Sequence, residues 1–117
     1  MINFLKLSLT VLFFLLNIGF SNLREDKIFI DYKIEEFNFM GREAKVVFPE
    51  IPVQERYWIW RARFWGHEPQ LDKLLLSKGF HLVYVDVAGL YGSPEAVKIW
   101  NKFYQFITTK YNLNHFI

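Results

Sequence analysis

Ile30, Tyr32 and Ile34 stand between Asp31, Lys33 and Glu35, and this period of two predicts a half-buried strand. Phe37 and Phe39 continue on either side of Asn38, and Val46-Val47-Phe48 is a short apolar run suited to a second strand. Residues 28–48 therefore read as strands, with a hairpin turn at Met40-Gly41-Arg42, because Gly tolerates positive φ. Pro49, Glu50 and Pro52 mark a loop. Residues 57–65 (YWIWRARFW) have no alternation into a wet face, which predicts an inner strand covered on both sides. Gly66-His67-Glu68-Pro69 breaks that strand. Pro69 fits the first position of a helix, Leu71, Leu74 and Leu75 recur at helical spacing, and Gly79 closes the helix. Residues 80–87 (FHLVYVDV) read as a buried parallel strand. After a Gly loop, Ser93 is a good N-cap and Pro94 a good first helical residue. Val97, Trp100, Phe103/Tyr104, Ile107 and Tyr111 form one stripe of a helix running to about Lys110, and Leu113 begins another strand. The order predicts an α/β fold: an N-terminal β-hairpin followed by parallel strand–helix–strand–helix units.

The start of the chain follows a different pattern. Lys6 is the only charge before Arg24, the centre is apolar, and Gly19 and Ser21 are small. That is the form of a secretory signal peptide. Cleavage after Ser21 is expected, leaving residues 22–117 as one domain of an exported protein, periplasmic or extracellular. The rival is a membrane anchor, but the uncharged run from Leu7 to Leu23 is short for a bilayer span and Asn17 interrupts it. Membrane association is thus expected only through this segment, if it is retained.

Composition narrows the classes further. The 117 residues are 52% hydrophobic and 22% charged, which excludes intrinsic disorder. Zero Cys removes disulfides, Cys-ligated zinc, iron–sulfur clusters and thiol catalysis. The net charge of +2 does not point to nucleic acid. Arg61 and Arg63 flank aromatics within the predicted strand, where burial of Trp58 and Trp60 is the better explanation. Three scattered His without metal-ligand spacing make no zinc site, and no cofactor is expected.

Three stretches resemble the amino-terminal part of the α/β-hydrolase fold. They are the strand followed by Gly66-His67 and a helix, the run from Leu75-Leu76-Ser77-Lys78-Gly79-Phe80 to Asp86, and the loop Asp86-Val87-Ala88-Gly89-Leu90-Tyr91-Gly92-Ser93. More specifically, Trp58-Ile59-Trp60-Arg61, Phe64-Trp65-Gly66-His67-Glu68-Pro69-Gln70 and Leu90-Tyr91-Gly92-Ser93-Pro94 are similar to the motifs of a group of exported bacterial α/β hydrolases. The resemblance implies a serine esterase or peptidase type of enzyme acting on an ester or amide, with a small-molecule or glycan ester as substrate. It implies that Trp65, Gly66 and His67 form part of an oxyanion loop, and that Asp86, Gly89, Gly92 and Ser93 form a structural loop.

Such enzymes carry the nucleophile on a Gly-x-Ser-x-Gly turn, followed later by an acid and a His. No such turn exists among Ser8, Ser21, Ser77 and Ser93. The chain is expected to be the N-terminal portion of a hydrolase, ending before the nucleophile and inactive alone, with the missing C-terminal half as its partner. His67-Glu68 is the one acid–base pair close in sequence, but Glu68 also suits a helix start. Asp86 reads as a cap on the Gly loop that follows it. Two rivals remain. One is a small secreted non-enzymatic α/β binding module that uses its aromatic cluster for carbohydrate or protein. The other is a phosphate-binding domain using the loop from Gly89 to Ser93, although that loop lacks the P-loop Lys.

Overall fold

Met40 and Gly41 adopt φ of 52° and 79°, the left-handed pair that a two-residue hairpin turn demands. They join β1 (Lys33–Phe39) to β2 (Arg42–Phe48), and Asn38 Oδ1 accepts a hydrogen bond from the Gly41 N–H at 3.0 Å. The computed structural model describes residues 27–115, so the expected signal peptide over residues 1–21 lies outside the described residues. The chain divides into two units, Met1–Ile30 and Asp31–Ile117. The described part of the first holds a 3-10 turn, Lys27–Phe29, where strand pattern had been expected.

In the second unit the hairpin is followed by β3 (Trp58–Arg61), α1 (Gln70–Ser77), β4 (His81–Val85) and α2 (Pro94–Lys110). The sheet order is β1-β2-β4-β3. β1 pairs antiparallel with β2, and β2 antiparallel with β4; only β3 and β4 are parallel. The expectation of parallel strand–helix–strand–helix units behind a hairpin is therefore corrected. The sheet is small, mixed and mostly antiparallel, with two helices. The reason is the seat of the hairpin: the two-residue turn sets β2 antiparallel to β1, and β2 then inserts antiparallel against β4 in the middle of the sheet.

The aromatic run is corrected as well. β3 covers four residues, not nine, and it is an edge strand rather than an inner one. The inner position belongs to β4, whose five residues are all buried. Leu113 to His115 form no strand, and the last two residues lie outside the described ones.

The sheet is covered on both faces. α2 packs Ile99, Phe103 and Ile107 against Ala44, Val46, Val83 and Val85, with Trp58 and Trp60 from β3 and Phe37 and Phe39 from β1 at its flanks. Ser93 caps α2, its Oγ accepting from the Ala96 N–H at 3.4 Å, and Pro94 opens the first turn. The alternate positions of the strands face α1. There the expected apolar face is displaced: Leu71 and Leu74 are exposed, while Asp72 and Leu76 are buried. Gly79 closes α1 at φ +91°, and a Cβ there would stand 2.7 Å from the Ile51 carbonyl oxygen.

Candidate functional site

The two motif-bearing loops leave the carboxyl ends of β3 and β4, the neighbouring parallel strands. In open α/β sheets ligands bind beyond such strand ends.

The loop after β3 turns back at once. Phe64 and Gly66 take φ of 55° and 76°, and the His67 N–H donates to the Phe64 carbonyl at 3.0 Å. That amide is engaged within the turn. The Arg61 Nη2 donates to the His67 carbonyl at 3.0 Å, which anchors the loop to the end of β3. Trp65 lies back over the α1 face of the sheet. Its ring sits 5.3 Å from that of Tyr84, and the Lys45 ammonium lies 5.2 Å from its centroid. His67 and Glu68 are both exposed.

The loop after β4 consists of turns that satisfy themselves. Asp86 Oδ1 accepts from the Ala88 N–H at 2.8 Å, the capping role read from the sequence. Leu90 N–H donates to Val87 O and Ser93 N–H to Leu90 O. The Arg42 Nη1 donates to the Ala88 carbonyl at 2.9 Å and ties this loop to the hairpin. Gly89 and Gly92 take φ of +81° and +67° with open space beside them. Ser93 is engaged as the N-cap of α2, and the Ser77 hydroxyl donates to the Leu74 carbonyl at 2.5 Å. Neither serine stands against a His as an activated nucleophile requires.

Beneath Trp65 the register assembles a polar row that no sequence motif marks. Glu36 pairs with Lys45, Lys45 with Tyr84, and Tyr84 with Arg61, so all four point to the α1 face. Lys45 is 2% exposed and meets Glu36 at 3.3 Å and Glu43 at 3.1 Å. Arg61 meets the buried Asp72 of α1. Burial, followed by the Asp86 and Glu43 carboxylates, raises the Tyr84 phenol above its ordinary value, while Lys45 and Arg63 act in the opposite sense. A Lys inside the apolar run of β2 was the available signal: a two-residue turn that pairs Phe39 with Arg42 also sets Glu36 against Lys45.

The rings of the α2 face are used in packing. Trp60 meets Trp100 edge-on at 6.1 Å, and Trp58 donates its Nε1–H to the Asn114 carbonyl at 2.7 Å. Among the described residues, no group of three or more His, Cys, Asp or Glu is placed to hold a metal ion, and no helix is long and apolar enough to cross a membrane. Compared with known protein families, curated proteins and solved structures, the chain matches none.

Proposed function

We propose that this chain is the substrate-facing, non-nucleophilic portion of an exported serine hydrolase acting on an ester or amide. The observation that carries the reading is the position of its two motif loops, 62–69 and 86–93, beyond the carboxyl ends of β3 and β4. The resemblance of both loops to hydrolase motifs supports it. Among the described residues β3 pairs with β4 alone, so both loops lie beside an open sheet edge. Neither Ser77 nor Ser93 is free for nucleophilic attack.

The test is labelling with a fluorophosphonate probe. The chain alone is expected to stay unlabelled and to leave p-nitrophenyl acetate uncleaved. Co-expression with the product of the downstream reading frame is expected to restore labelling on that second polypeptide. Stoichiometric labelling of Ser77 or Ser93 would overturn the reading. Export belongs to the same proposal: amino-terminal sequencing of the periplasmic or secreted form is expected to begin at Asn22, and recovery of the Met1 form in membranes would favour an anchor.

One observation favours a second reading, a binding module. Phe64 and Tyr91, one on each loop, are 64% and 88% exposed and both are held in the left-handed region, at 55° and 51°. Backbone strain that displays two aromatic rings suits recognition of a carbohydrate or protein surface. Glycan-array binding lost in Phe64→Ala and Tyr91→Ala would carry that reading forward.

A further inference from the structure

His81 opens β4 on the α2 face and is 1% exposed. Its ring stands edge-on to Phe48 at 5.6 Å, and Phe48 in turn meets Tyr111 at 5.6 Å. The Nδ1 atom is buried without a hydrogen-bond partner. A proton placed on Nδ1 would meet neither water nor an acceptor.

The charged and titratable groups around this pocket come from four directions. Arg56 precedes β3 and opposes a positive His81. From β1, Glu35 accepts from the Tyr111 hydroxyl at 2.7 Å, and Lys33 lies over Phe48 at 5.0 Å. Glu35 and burial raise the Tyr111 phenol above its ordinary value, burial being the larger cause. From α2, Lys110 lies over the Tyr111 ring at 5.4 Å. His115, beyond α2, is exposed and packs on Tyr104. Glu35 is engaged by the Tyr111 hydroxyl and by Lys33 at 3.6 Å. Burial first, and Arg56 second, bring the His81 imidazole down from its ordinary value to about 4.

Arg56 is also the centre of a clamp. It donates to the Tyr111 carbonyl at 2.7 Å and the Asn112 carbonyl at 3.3 Å. Its own carbonyl accepts from the Asn114 N–H at 3.0 Å. The Asn114 side chain donates to the Glu55 carbonyl at 2.9 Å, and Trp58 closes the set onto the Asn114 carbonyl. These bonds hold residues 111–115 against 55–58 and bury Leu113.

We propose that His81 is an acid-sensitive latch: its protonation opens the clamp between residues 111–115 and 55–58 while the sheet and α2 stay folded. Arg56 precedes Tyr57, whose carbonyl accepts the His81 backbone N–H at 3.1 Å, so an imidazolium would feel the like charge of Arg56 while its Nδ1 has no acceptor. β4 is locked between two strands, whereas the segment after α2 belongs to no helix or strand. The cheapest relief is therefore to release that segment. The sign follows from linkage. The closed form holds His81 neutral and the open form lets it titrate normally, so closure is full above about pH 6.5 and weakens towards about pH 4, up to tenfold per pH unit.

The test is amide exchange by NMR on the full chain. The protection factor of the Asn114 amide is expected to fall up to tenfold per pH unit between about pH 6.5 and 4, while the β2 and β4 amides stay protected. In His81→Leu the fall should vanish, and in His115→Gln it should persist. The same fall in His81→Leu, or loss of β2 and β4 protection together with Asn114, would overturn the latch. If His81→Leu does not fold, the wild-type imidazole carbon shifts give the answer. Titration of His81 coincident with the loss of Asn114 protection supports the latch. An ordinary titration with no loss of protection overturns it.

Discussion

Arg61 places two nitrogens on one oxygen of Asp72: Nε at 3.0 Å and Nη2 at 2.5 Å from Oδ2. This contact fixes the rotation of α1 about its axis, because it draws a carboxylate into the interface and turns Leu71 and Leu74 to solvent. Truncation of Arg61 to Ala leaves the Asp72 charge buried and unpaired. A loss of about 3 kcal/mol is expected in urea denaturation. The double variant Arg61→Met/Asp72→Leu is expected to return to within about 1 kcal/mol of the parent, since it removes both charges from the interface.

Lys45 is the opposite case. The ammonium is the buried member, and Glu36 and Glu43 are partly exposed. Removing the cation frees two carboxylates that water can reach. Lys45→Met keeps the stem against Trp65 and is expected to change stability by less than about 1 kcal/mol, of either sign. A loss above about 3 kcal/mol in the same denaturation measurement would show that the pair is more than charge compensation.

Gly79→Ala is expected to cost about 3 kcal/mol or more, because the new Cβ meets Ile51 O at 2.7 Å and Val53 Cγ1 at 2.9 Å in a left-handed backbone. Gly89→Ala carries the same backbone penalty but has open space beside it, so about 1 kcal/mol is expected. Thermal denaturation of the two variants side by side separates crowding from φ strain.

Among the described residues β3 leaves one edge without a strand, and the groove beside it, about 330 Å³, is lined by Trp60, Ala62, Val97, Trp100 and Asn101. An aromatic edge of this kind invites pairing between copies. The full chain is expected to self-associate in sedimentation experiments, and Val97→Lys, at a position 44% exposed, to shift it towards monomer. A sharp monomeric melt of the unaltered chain at micromolar concentration would show the edge to be harmless.

Punctuation residues were legible before the structure. Ser93-Pro94 starts a helix, Gly79 ends one, and Met40-Gly41 turns a hairpin, because each acts through its own φ or its own side chain. Long-range placement was not. Nothing in the period of Val46-Val47-Phe48 says that β2 inserts against β4, and that insertion changes the sheet from parallel to mostly antiparallel. The run at residues 57–65 looked like a buried strand because its aromatics are apolar on both sides. Arg61 ends it by reaching for Asp72, and Trp65 folds back over Tyr84. That the turn at 64–67 engages the His67 N–H is likewise invisible in side-chain identities.

The insertion of β2 against β4 also sets the tempo of folding. The β1–β2 hairpin closes across two residues and belongs to the microsecond range of such turns. The parallel β3–α1–β4 unit forms from its own stretch of chain. Ala44 reaches Val85, and Val47 reaches Leu82, only when the whole β3–α1 segment between them has been looped out, so this seam carries the largest closure entropy in the sheet. The docking of two locally formed pieces is then the slow event. Trimming Val46 or Val83 should retard refolding, whereas changes in the helix α1 surface should act mainly on the rate at which the finished molecule comes apart.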